Sequence, residues 1–423
     1  MGEAPSKRIK GFSITVALTF ACMAPSSTQH SSNAALRAPG ATCDGVWHWV
    51  AVGGTSCLDG TPTGFEYVCF PEVGLSGPLL LYFQAGGGCW TAESCACQNT
   101  GSGCNSNFIS TDHYDRSYGC DGQAYGQCIA KFAQGYSVGD IGEEAAFNGP
   151  TSAFNDLATG SVEWNMVLIP YCTGDVHAGN AQASFSTVDG YQPNFNGYEN
   201  VTLDLAQLAS MFTAPGKVSL WGSSAGGPGA DCNLSQVRAT WPRAAMSELN
   251  DAVAPLSTPF VPGLPAAIRT WGSYHFSRDG SIVADTCPVL ASDSTADYST
   301  RLWMHYNHVT FPHVRKAFSD DYADSTIDFF ACALGATPDK DGSCASAVAQ
   351  SMLLALDTAI GKDSPDYRVY YHSWTCHAER EADGNTGSDS KCDYDQLVQN
   401  GAHFNDWVRG WAQVPGFDWQ TVY

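Results

Sequence analysis

The stretch VSLWGSSAGGPGA, residues 218–230, decides the fold class of this chain. It runs from a short apolar segment, which predicts a buried strand, through a turn of small residues into a segment that can open a helix. A serine at the centre of G-x-S-x-G in this strand-turn-helix setting is typical of a nucleophile elbow. The helix after the turn directs its first amides at negative charge that develops on a substrate oxygen. Ser224 is therefore the predicted nucleophile.

A second G-x-S-x-G match lies at residues 135–139, with Ser137 at its centre. It follows a helical stretch that contains Lys and Gln, and an acidic segment comes directly after it. Because a nucleophile elbow needs a strand before it, the context favours Ser224. The structural alternative for Ser224 is a serine that merely occupies a glycine-rich turn.

Short apolar runs of strand length alternate with amphipathic helical stretches along the chain. The predicted strands are residues 79–83, 166–169, 218–221, 369–371 and, with a weaker pattern, 244–249; the predicted helices are residues 198–212 and 345–360. Alternation of this kind predicts an α/β fold with a mostly parallel central sheet flanked by helices. No repeat or linker interrupts residues 43–423, so we predict a single catalytic domain there.

The glycine run FQAGGGCW, residues 83–90, follows the predicted strand 79–83. Glycines let backbone amides approach a bound substrate closely. In α/β-hydrolases, an amide of such a loop and the amide of the residue after the nucleophile form the oxyanion hole. We expect Gly87, Gly88 and Ala225 to supply these amides. A phosphate-binding loop would need a following Lys and Ser or Thr, which this run lacks.

The N-terminus predicts export from the cytoplasm. Basic residues at positions 7, 8 and 10 precede an apolar stretch that ends near position 23, which is typical of a signal peptide, assigned here to residues 1–24. Residues 25–42, rich in Ser, Asn and Ala, form a predicted flexible linker. Cys22 offers the alternative of a lipid anchor. In both cases we expect a secreted or extracytoplasmic protein.

The 17 cysteines support an oxidising compartment, because removal of Cys22 with the signal leaves an even number. Six of them lie within residues 89–128, a Gly-, Ser- and Asn-rich stretch in which disulfides would hold a long loop. Zinc is the rival interpretation, but the paired C-x-x-C spacing is missing, so we predict no metal. Two sequons, at Asn200 and Asn233, permit N-glycosylation.

The formal net charge of −22 at pH 7 bears on possible partners. Such a charge repels phosphate backbones and disfavours nucleic acid. After the N-terminal segment, no apolar run approaches the roughly 20 residues of a membrane span. We expect a soluble monomer with no membrane span.

Three ordered motifs make a family resemblance specific. LLLYFQAGGGCW at residues 79–90, EWNMVLIPYCTGDVHAGN at residues 163–180 and VSLWGSSAGG at residues 218–227 resemble the pectin acetylesterase family, which also includes the Notum lipid deacylases. The resemblance spans about residues 61–411. It implies an α/β-hydrolase-like fold, with disulfide-stapled loop insertions here, and a Ser, Asp and His triad in that chain order. It also implies ester hydrolysis without a cofactor.

The resemblance places the catalytic histidine beside a cysteine on a loop after a late strand. His377, which follows Cys376, fits that position. An imidazole is needed there because it takes the serine proton and returns it to the leaving alcohol. His372, at a predicted strand end, and His403, at the start of a terminal helix, are the alternatives.

For the acid of the triad, the resemblance points to Asp324, which precedes a helical segment and lies between nucleophile and base. Its role would be to hold the imidazole tautomer and stabilise the imidazolium. Asp251, which follows the strand after the nucleophile, is the alternative. Asp320 and Asp321 are interpreted as solvated charges.

Three further residues are candidates for substrate contact. Trp90 follows the glycine run, and Asp175 and His177 lie at another predicted strand end, where they are structural or substrate-facing. Lipid-deacylase members carry a Trp at the position of His177, and this chain places Cys89 and Trp90 after the third glycine. Both departures weaken the expectation of a deep acyl-chain pocket.

The resemblance implies removal of O-acetyl groups from a polysaccharide. Because a charge of −22 would repel a polygalacturonate anion, neutral acetylated glycans and small esters remain substrate candidates. Alternatives are a Notum-like lipid deacylase, a thioesterase or a peptidase. From another class, a non-catalytic glycan- or lipid-binding protein on the same fold is the rival, since fold does not fix function.

Overall fold

The structure of the protein is a computed structural model. It describes residues 40–95, 155–156, 161–187, 190–253, 255–273, 286–290, 300–321, 324–355, 366–372, 398–412 and 419–422. These residues all belong to one compact unit, Pro39–Tyr423.

The described secondary structure consists of strands and helices that alternate through most of the chain. The strands are β1 (Trp47–Ala51), β2 (Gly64–Val68), β3 (Leu79–Phe83), β4 (Asn155–Asp156), β5 (Ser161–Val162), β6 (Asn165–Ile169), β7 (Ala181–Gln182), β8 (Asn194–Phe195), β9 (Lys217–Ser223), β10 (Ala245–Asp251), β11 (Arg315–Asp321), β12 (Tyr367–His372), β13 (Val398–Gln399) and β14 (Ala402–His403). The helices are α1 (Gly197–Met211), α2 (Gly226–Thr240), α3 (Leu264–Trp271), α4 (Arg301–Thr310), α5 (Ser325–Ala333), α6 (Ala345–Ala355) and α7 (Phe404–Trp411).

Eight strands form the central sheet in the order β1-β2-β6-β3-β9-β10-β11-β12. Within this sheet, six strands are parallel to one another: β6, β3, β9, β10, β11 and β12. The other two, β1 and β2, are antiparallel to their neighbours. The mostly parallel α/β architecture predicted from the sequence is therefore confirmed. In such sheets, ligands bind beyond the carboxyl ends of the strands, so β3, β9, β10, β11 and β12 all point toward one candidate site edge.

Alternate residues of each central strand face opposite layers. In β3, Leu79 and Leu81 pack with α1 and α2, while Leu80 and Tyr82 pack with Trp407 and Trp411 of α7. Because both faces are covered, the strand consists entirely of apolar residues without polar alternation. This double burial is why LLLYF was recognisable as a strand from the sequence.

The five predicted strands lie within or overlap described strands, but β1, β2 and β11 were not predicted. β11, RKAFSDD, has a polar sequence and yet runs through the interior of the sheet between β10 and β12. Lys316 and Ser319 are fully buried, and Asp320 is only 1% exposed. The interpretation of Asp320 as a solvated charge is therefore wrong, because its side chain is buried.

Five disulfides are described, and one of them lies in the predicted cysteine-rich loop. They are Cys43–Cys69, Cys57–Cys172, Cys89–Cys95, Cys232–Cys287 and Cys332–Cys344. Cys97, Cys104, Cys120 and Cys128 lie outside the described residues. The observed pairs fit the predicted oxidising compartment.

Both sequon asparagines are buried, which argues against glycosylation of the folded chain. Asn233 has no exposed surface, and Asn200 is 6% exposed with its side-chain amide bonded to the backbone of Ser56. A glycan needs an amide at the surface.

Within the described part of the chain, none of the helices is both long and apolar enough to span a bilayer.

Candidate active site

Ser224 occupies a tight turn between the end of β9 and the start of α2. Its φ of 50° is a left-handed conformation that a residue with a side chain rarely adopts. Two hydrogen bonds hold the turn: Ser224 N–H donates to the Asp251 carbonyl, and Gly227 N–H donates to the Ser224 carbonyl, each at 2.8 Å. A strained backbone conformation persists only where the surrounding contacts hold it, and such conformations are typical of functional turns.

The two motif glycines are required by close backbone approach. A Cβ at Gly222 would lie 1.8 Å from the Gly226 carbonyl oxygen, and a Cβ at Gly226 would lie 2.0 Å from the Phe83 carbonyl oxygen. Contacts this short cannot exist between real atoms, so only glycine fits at both positions. The motif therefore reflects packing of the elbow against itself and against the end of β3.

The glycine run lies next to the elbow because β3 and β9 are parallel neighbours, with Phe83 opposite Gly222. Gly87, in a left-handed conformation with φ 73°, and Gly88 line the same pocket as Ser224 and Ala225. Ala225 is the N-cap residue of α2, and no side-chain hydrogen bond caps that helix. The structure thus brings together the predicted nucleophile and the three predicted oxyanion donors.

The pocket in front of Ser224 contains about 560 Å³ of empty space, part of it open to solvent. Apart from the elbow and the two glycines, its walls are almost entirely apolar: Trp90, Val176, Pro228, Val253, Leu256, Leu264, Trp271, Thr300, Ile327, Phe330 and Leu334. Of these residues, only Trp90 was predicted to contact substrate.

Hydrogen bonds and a disulfide fix the wall that carries Trp90. The indole N–H of Trp271 donates to the Cys89 carbonyl at 2.6 Å, and Cys89 N–H donates to the Gly174 carbonyl. The Cys89–Cys95 disulfide closes this short segment. The Trp90 ring lies 6.4 Å from the Phe330 ring, measured between centroids. The aromatic wall is therefore anchored rather than loosely placed.

Asp324 lies three residues beyond the end of β11 and caps α5. Its Oδ1 accepts hydrogen bonds from Thr326 N–H at 2.8 Å and Ile327 N–H at 2.9 Å, and the residue is 2% exposed. A carboxylate at a helix N-cap satisfies amides that have no partner within the helix. The helix it caps also supplies Ile327 and Phe330 to the pocket wall.

Asp251 ends β10 and lies directly behind the elbow. Its Oδ2 accepts from Ser223 Oγ at 3.2 Å and from the Trp221 indole N–H at 3.3 Å, and the residue has no exposed surface. Its carbonyl also accepts the Ser224 N–H. Asp251 therefore supports the backbone and side chains that precede the nucleophile.

The three candidate histidines have different positions. His377 and the competing serine Ser137 lie outside the described residues. His372 is the last residue of β12, so the chain leaves the sheet there at the same edge as Ser224, five positions before His377. His403 is exposed and precedes α7, as predicted for a surface histidine at a helix start.

Asp175 and His177 are buried and are not among the lining residues of the pocket. Asp175 accepts hydrogen bonds from Thr173 Oγ1 and from Gly197 N–H, and burial raises the pKa of its carboxyl from 3.8 to about 6. Burial lowers the pKa of His177 from 6.5 to about 4, so the ring is neutral at pH 7 and its Nε2–H donates to the Gln84 carbonyl. Of the two alternatives left by the sequence, these contacts favour a structural role.

Among the described residues, Asp328, Cys332 and Cys344 are one group of potential metal ligands close together. The two sulfur atoms, however, are joined in a disulfide. A zinc site needs free thiolates, so this group does not offer the donor set that zinc prefers.

Comparison with known proteins gives two matches. Residues 129–254 match the family model named pectinacetylesterase, a segment that includes Ser224 and Asp251 and ends before Asp324. The whole structure is similar to the Wnt deacylase Notum from Drosophila, with a TM-score of 0.53 and 15% sequence identity over 89% of this chain and 96% of that one. A sequence search of curated proteins found no significant relative.

Proposed function

We propose that Ser224 attacks an ester whose acyl group lies in the apolar pocket, on the basis of the pectinacetylesterase match over residues 129–254 and the fold shared with a Notum deacylase. The observation that carries this proposal is the convergence of Ser224, Ala225, Gly87 and Gly88 on one pocket. A nucleophile and backbone amides on a shared cavity are the geometry that acyl transfer needs.

The proposed reaction is a two-step acyl transfer. Ser224 Oγ attacks the ester carbonyl carbon while His377 takes its proton, and the amides of the glycine run and Ala225 bind the oxyanion. Collapse of the tetrahedral intermediate breaks the bond to the alcohol, which leaves with the proton from His377. Water, activated by His377, then attacks the acyl-enzyme and releases the carboxylic acid.

Asp324 is proposed as the residue that orients His377. Its carboxylate is buried and held by two backbone amides, at the sheet edge where β12 also ends. A fixed, desolvated carboxylate is suited to hold one imidazole tautomer and stabilise the imidazolium. Asp251 is less suited, because its carboxyl is bonded to Ser223 and Trp221 behind the elbow.

The pocket favours an apolar acyl group longer than acetyl. His177 does not line it, so the histidine at this position leaves the pocket open, and Trp90 forms part of its wall. Its walls are almost entirely apolar, so burial of further methylene groups against them is favourable. An O-acetylated polysaccharide is the second candidate substrate, supported by the pectinacetylesterase match.

An extracytoplasmic location is proposed with this function. Five disulfides in the described residues fit a protein that matures outside the reducing cytoplasm. A soluble ester or an acylated glycan outside the cell would be its substrate.

The test is hydrolysis of p-nitrophenyl acetate, butyrate and octanoate by wild type, Ser224→Ala and Ser137→Ala. We expect kcat/KM to rise from acetate to the longer esters, at least about tenfold for two to three well-buried methylene groups. Ser224→Ala should lose at least about 10³-fold in kcat, because no nucleophile remains. Ser137→Ala, in the other G-x-S-x-G match, is the matched control and should retain wild-type rates.

Each other outcome corresponds to a named alternative. Highest activity on acetate would favour the acetylesterase candidate over the longer acyl group. Loss of activity in Ser137→Ala alone would move the nucleophile to that motif. Equal inertness of wild type and Ser224→Ala on all three esters would favour the non-catalytic binding protein.

A further inference from the structure

The hydroxyl of Tyr171 joins two segments that line the pocket. It donates a hydrogen bond to the Gly87 carbonyl at 2.8 Å and accepts one from Val176 N–H at 2.8 Å. Tyr171 follows β6 and is 1% exposed. One buried hydroxyl therefore links the glycine run to the segment that places Val176 in the pocket wall.

The Gly87 carbonyl and the Gly88 N–H belong to the same peptide unit. Because a peptide unit is planar and trans, fixing the carbonyl oxygen also fixes the direction of the N–H on the opposite side. Glycine has the widest conformational freedom of any residue, and Gly87 has a φ of 73°. Without an external contact, this peptide unit could rotate readily.

We propose that Tyr171 is a positioning residue for the oxyanion hole: its hydroxyl holds the peptide unit between Gly87 and Gly88 so that the Gly88 N–H faces the reacting carbonyl. This inference rests on the proposed function of Ser224. A hydrogen bond accepted by the Gly87 carbonyl also polarises the peptide unit, which makes its N–H a stronger donor.

The surrounding contacts hold Tyr171 itself in place. Its N–H donates to the Gln84 side chain at 3.0 Å, and a Cβ at Gly86 would lie 2.1 Å from its ring. The His177 ring packs against it, 4.7 Å away between centroids, and donates to the Gln84 carbonyl. The ring, the start of the glycine run and His177 thus form one buried unit.

Protonation of the hydroxyl is assured across the range in which esterases work. Burial, with a further contribution from the charge of Asp175, raises the pKa of Tyr171 well above its ordinary value. The group therefore keeps the proton that it donates to Gly87.

The test is Tyr171→Phe, which keeps the ring and removes both hydrogen bonds. Loss of an oxyanion donor costs about 10²- to 10³-fold in rate, so we expect misorientation of one donor to lower kcat by about 10- to 100-fold. KM should change by less than about threefold, because ground-state binding does not use this donor. An alkyl boronic acid, which forms an anionic tetrahedral adduct on serine, should lose affinity in parallel with kcat.

Tyr370→Phe is the matched control. The Tyr370 hydroxyl is also buried, donates to the Ala402 carbonyl at 2.8 Å and accepts from Gln399 N–H at 3.0 Å, but it joins β12 to the β13 and β14 hairpin. A general effect of removing a buried hydroxyl would appear in both variants. We expect wild-type kcat and boronic acid affinity in Tyr370→Phe at a temperature where both variants are folded by circular dichroism.

The inference would be overturned if Tyr171→Phe kept wild-type kcat and boronic acid affinity. It would also be overturned by a raised KM with unchanged kcat, because that result would indicate a role in the pocket wall alone. An active Ser224→Ala would instead overturn the proposed function. If Tyr171→Phe does not fold, 3-fluorotyrosine at position 171 replaces it, since the more acidic hydroxyl is a stronger donor. A change in kcat of roughly twofold at constant KM is then expected, and an unchanged kcat would overturn the inference.

Discussion

Two strand-to-helix turns at the same edge of the sheet are built in opposite ways. The turn from β9 to α2 contains Ser224 with a positive φ, and no side-chain hydrogen bond caps its helix. The turn from β11 to α5 is capped by Asp324, whose carboxylate accepts from two amides of the helix. The first leaves the helix N-terminus without a side-chain anion, and the second supplies one from within the chain.

The difference shows how one fold can use helix N-termini for two purposes. Helix N-termini attract negative charge because their first amides lack partners within the helix. At α2, the proposed mechanism directs that attraction at an oxyanion that develops on a substrate. At α5, it holds a carboxylate in a fixed position. In the proposed mechanism, a substrate anion and a permanent anion are thus stabilised by the same physical device, at two strands that only β10 separates.

Removing the permanent charge gives the largest expected effect. Asparagine is as good an N-cap as aspartate, so Asp324→Asn should keep the α5 cap while removing the charge that would orient His377. We expect kcat to fall by about 10³- to 10⁴-fold, with the midpoint of urea unfolding nearly unchanged. Asp251→Asn is the matched variant and should lose less than about tenfold.

The reverse result, with Asp251→Asn inactive and Asp324→Asn active, would identify Asp251 as the acid of the triad. The carboxylate of Asp324 would then only cap α5 and would have no role in catalysis. Asp324→Ala removes both the charge and the helix cap, whereas Asp324→Asn removes only the charge. The alanine variant should therefore lose about 1 kcal/mol more unfolding free energy than the asparagine variant.

Crowding the uncapped turn gives the next largest effect. Gly226→Ala would place a Cβ 2.0 Å from the Phe83 carbonyl oxygen, so the elbow must move away from β3. We expect a loss of about 1–3 kcal/mol in unfolding free energy, measured by urea titration, together with reduced kcat. In Gly216→Ala, the control, a Cβ meets no atom within 4 Å. A Gly226→Ala protein as stable and active as this control would contradict the account of the elbow.

A third prediction contrasts the bonded carboxylate of Asp324 with a carboxyl that lacks such bonds. Glu66, on β2, is 1% exposed, and among the described residues neither of its oxygens has a hydrogen-bond partner. Burial raises its pKa from 4.5 to about 8. The folded state therefore keeps a proton that the unfolded state loses above about pH 4.5, and stability should fall as pH rises toward 8.

We expect the stability difference between Glu66→Gln and wild type to grow by up to about 1.4 kcal/mol per pH unit across that window. Urea titrations at about pH 5, 6, 7 and 8 measure it. Asp341→Asn is the control: hydrogen bonds from Ser343 lower the pKa of this exposed carboxyl, so it is ionised in both states throughout the window. A pH-independent difference for Glu66→Gln would show that Glu66 is ionised in the folded protein.

The elbow and glycine run could be predicted because their determinants are local. Strand, glycines and helix start all lie within residues 218–230, and the contact that requires glycine at position 222 is with Gly226 of the same motif. The burial of Asp251 and Asp324 could not be predicted, since it depends on which strand ends become neighbours in the sheet.

The pocket walls and β11 could not be predicted from the sequence, because they depend on contacts between segments that are far apart in the chain. Val253, Leu264 and Phe330 come from separate segments, and apolar residues that line a pocket have the same local pattern as core residues. β11 has a polar sequence, but its Lys316 ammonium donates to the Phe311 and Val314 carbonyls inside the protein. Hydropathy cannot detect such internal pairing.

The Cys57–Cys172 disulfide has a consequence for resistance to proteolysis. It joins two cysteines 115 positions apart and so closes a covalent ring that contains β2, β3, the glycine run, β6 and Tyr171. A single cut by a protease anywhere between these cysteines opens the ring but leaves both fragments covalently joined. A nicked protein could therefore migrate as two pieces only after reduction, and the tyrosine and the glycine run would remain in one molecule until then.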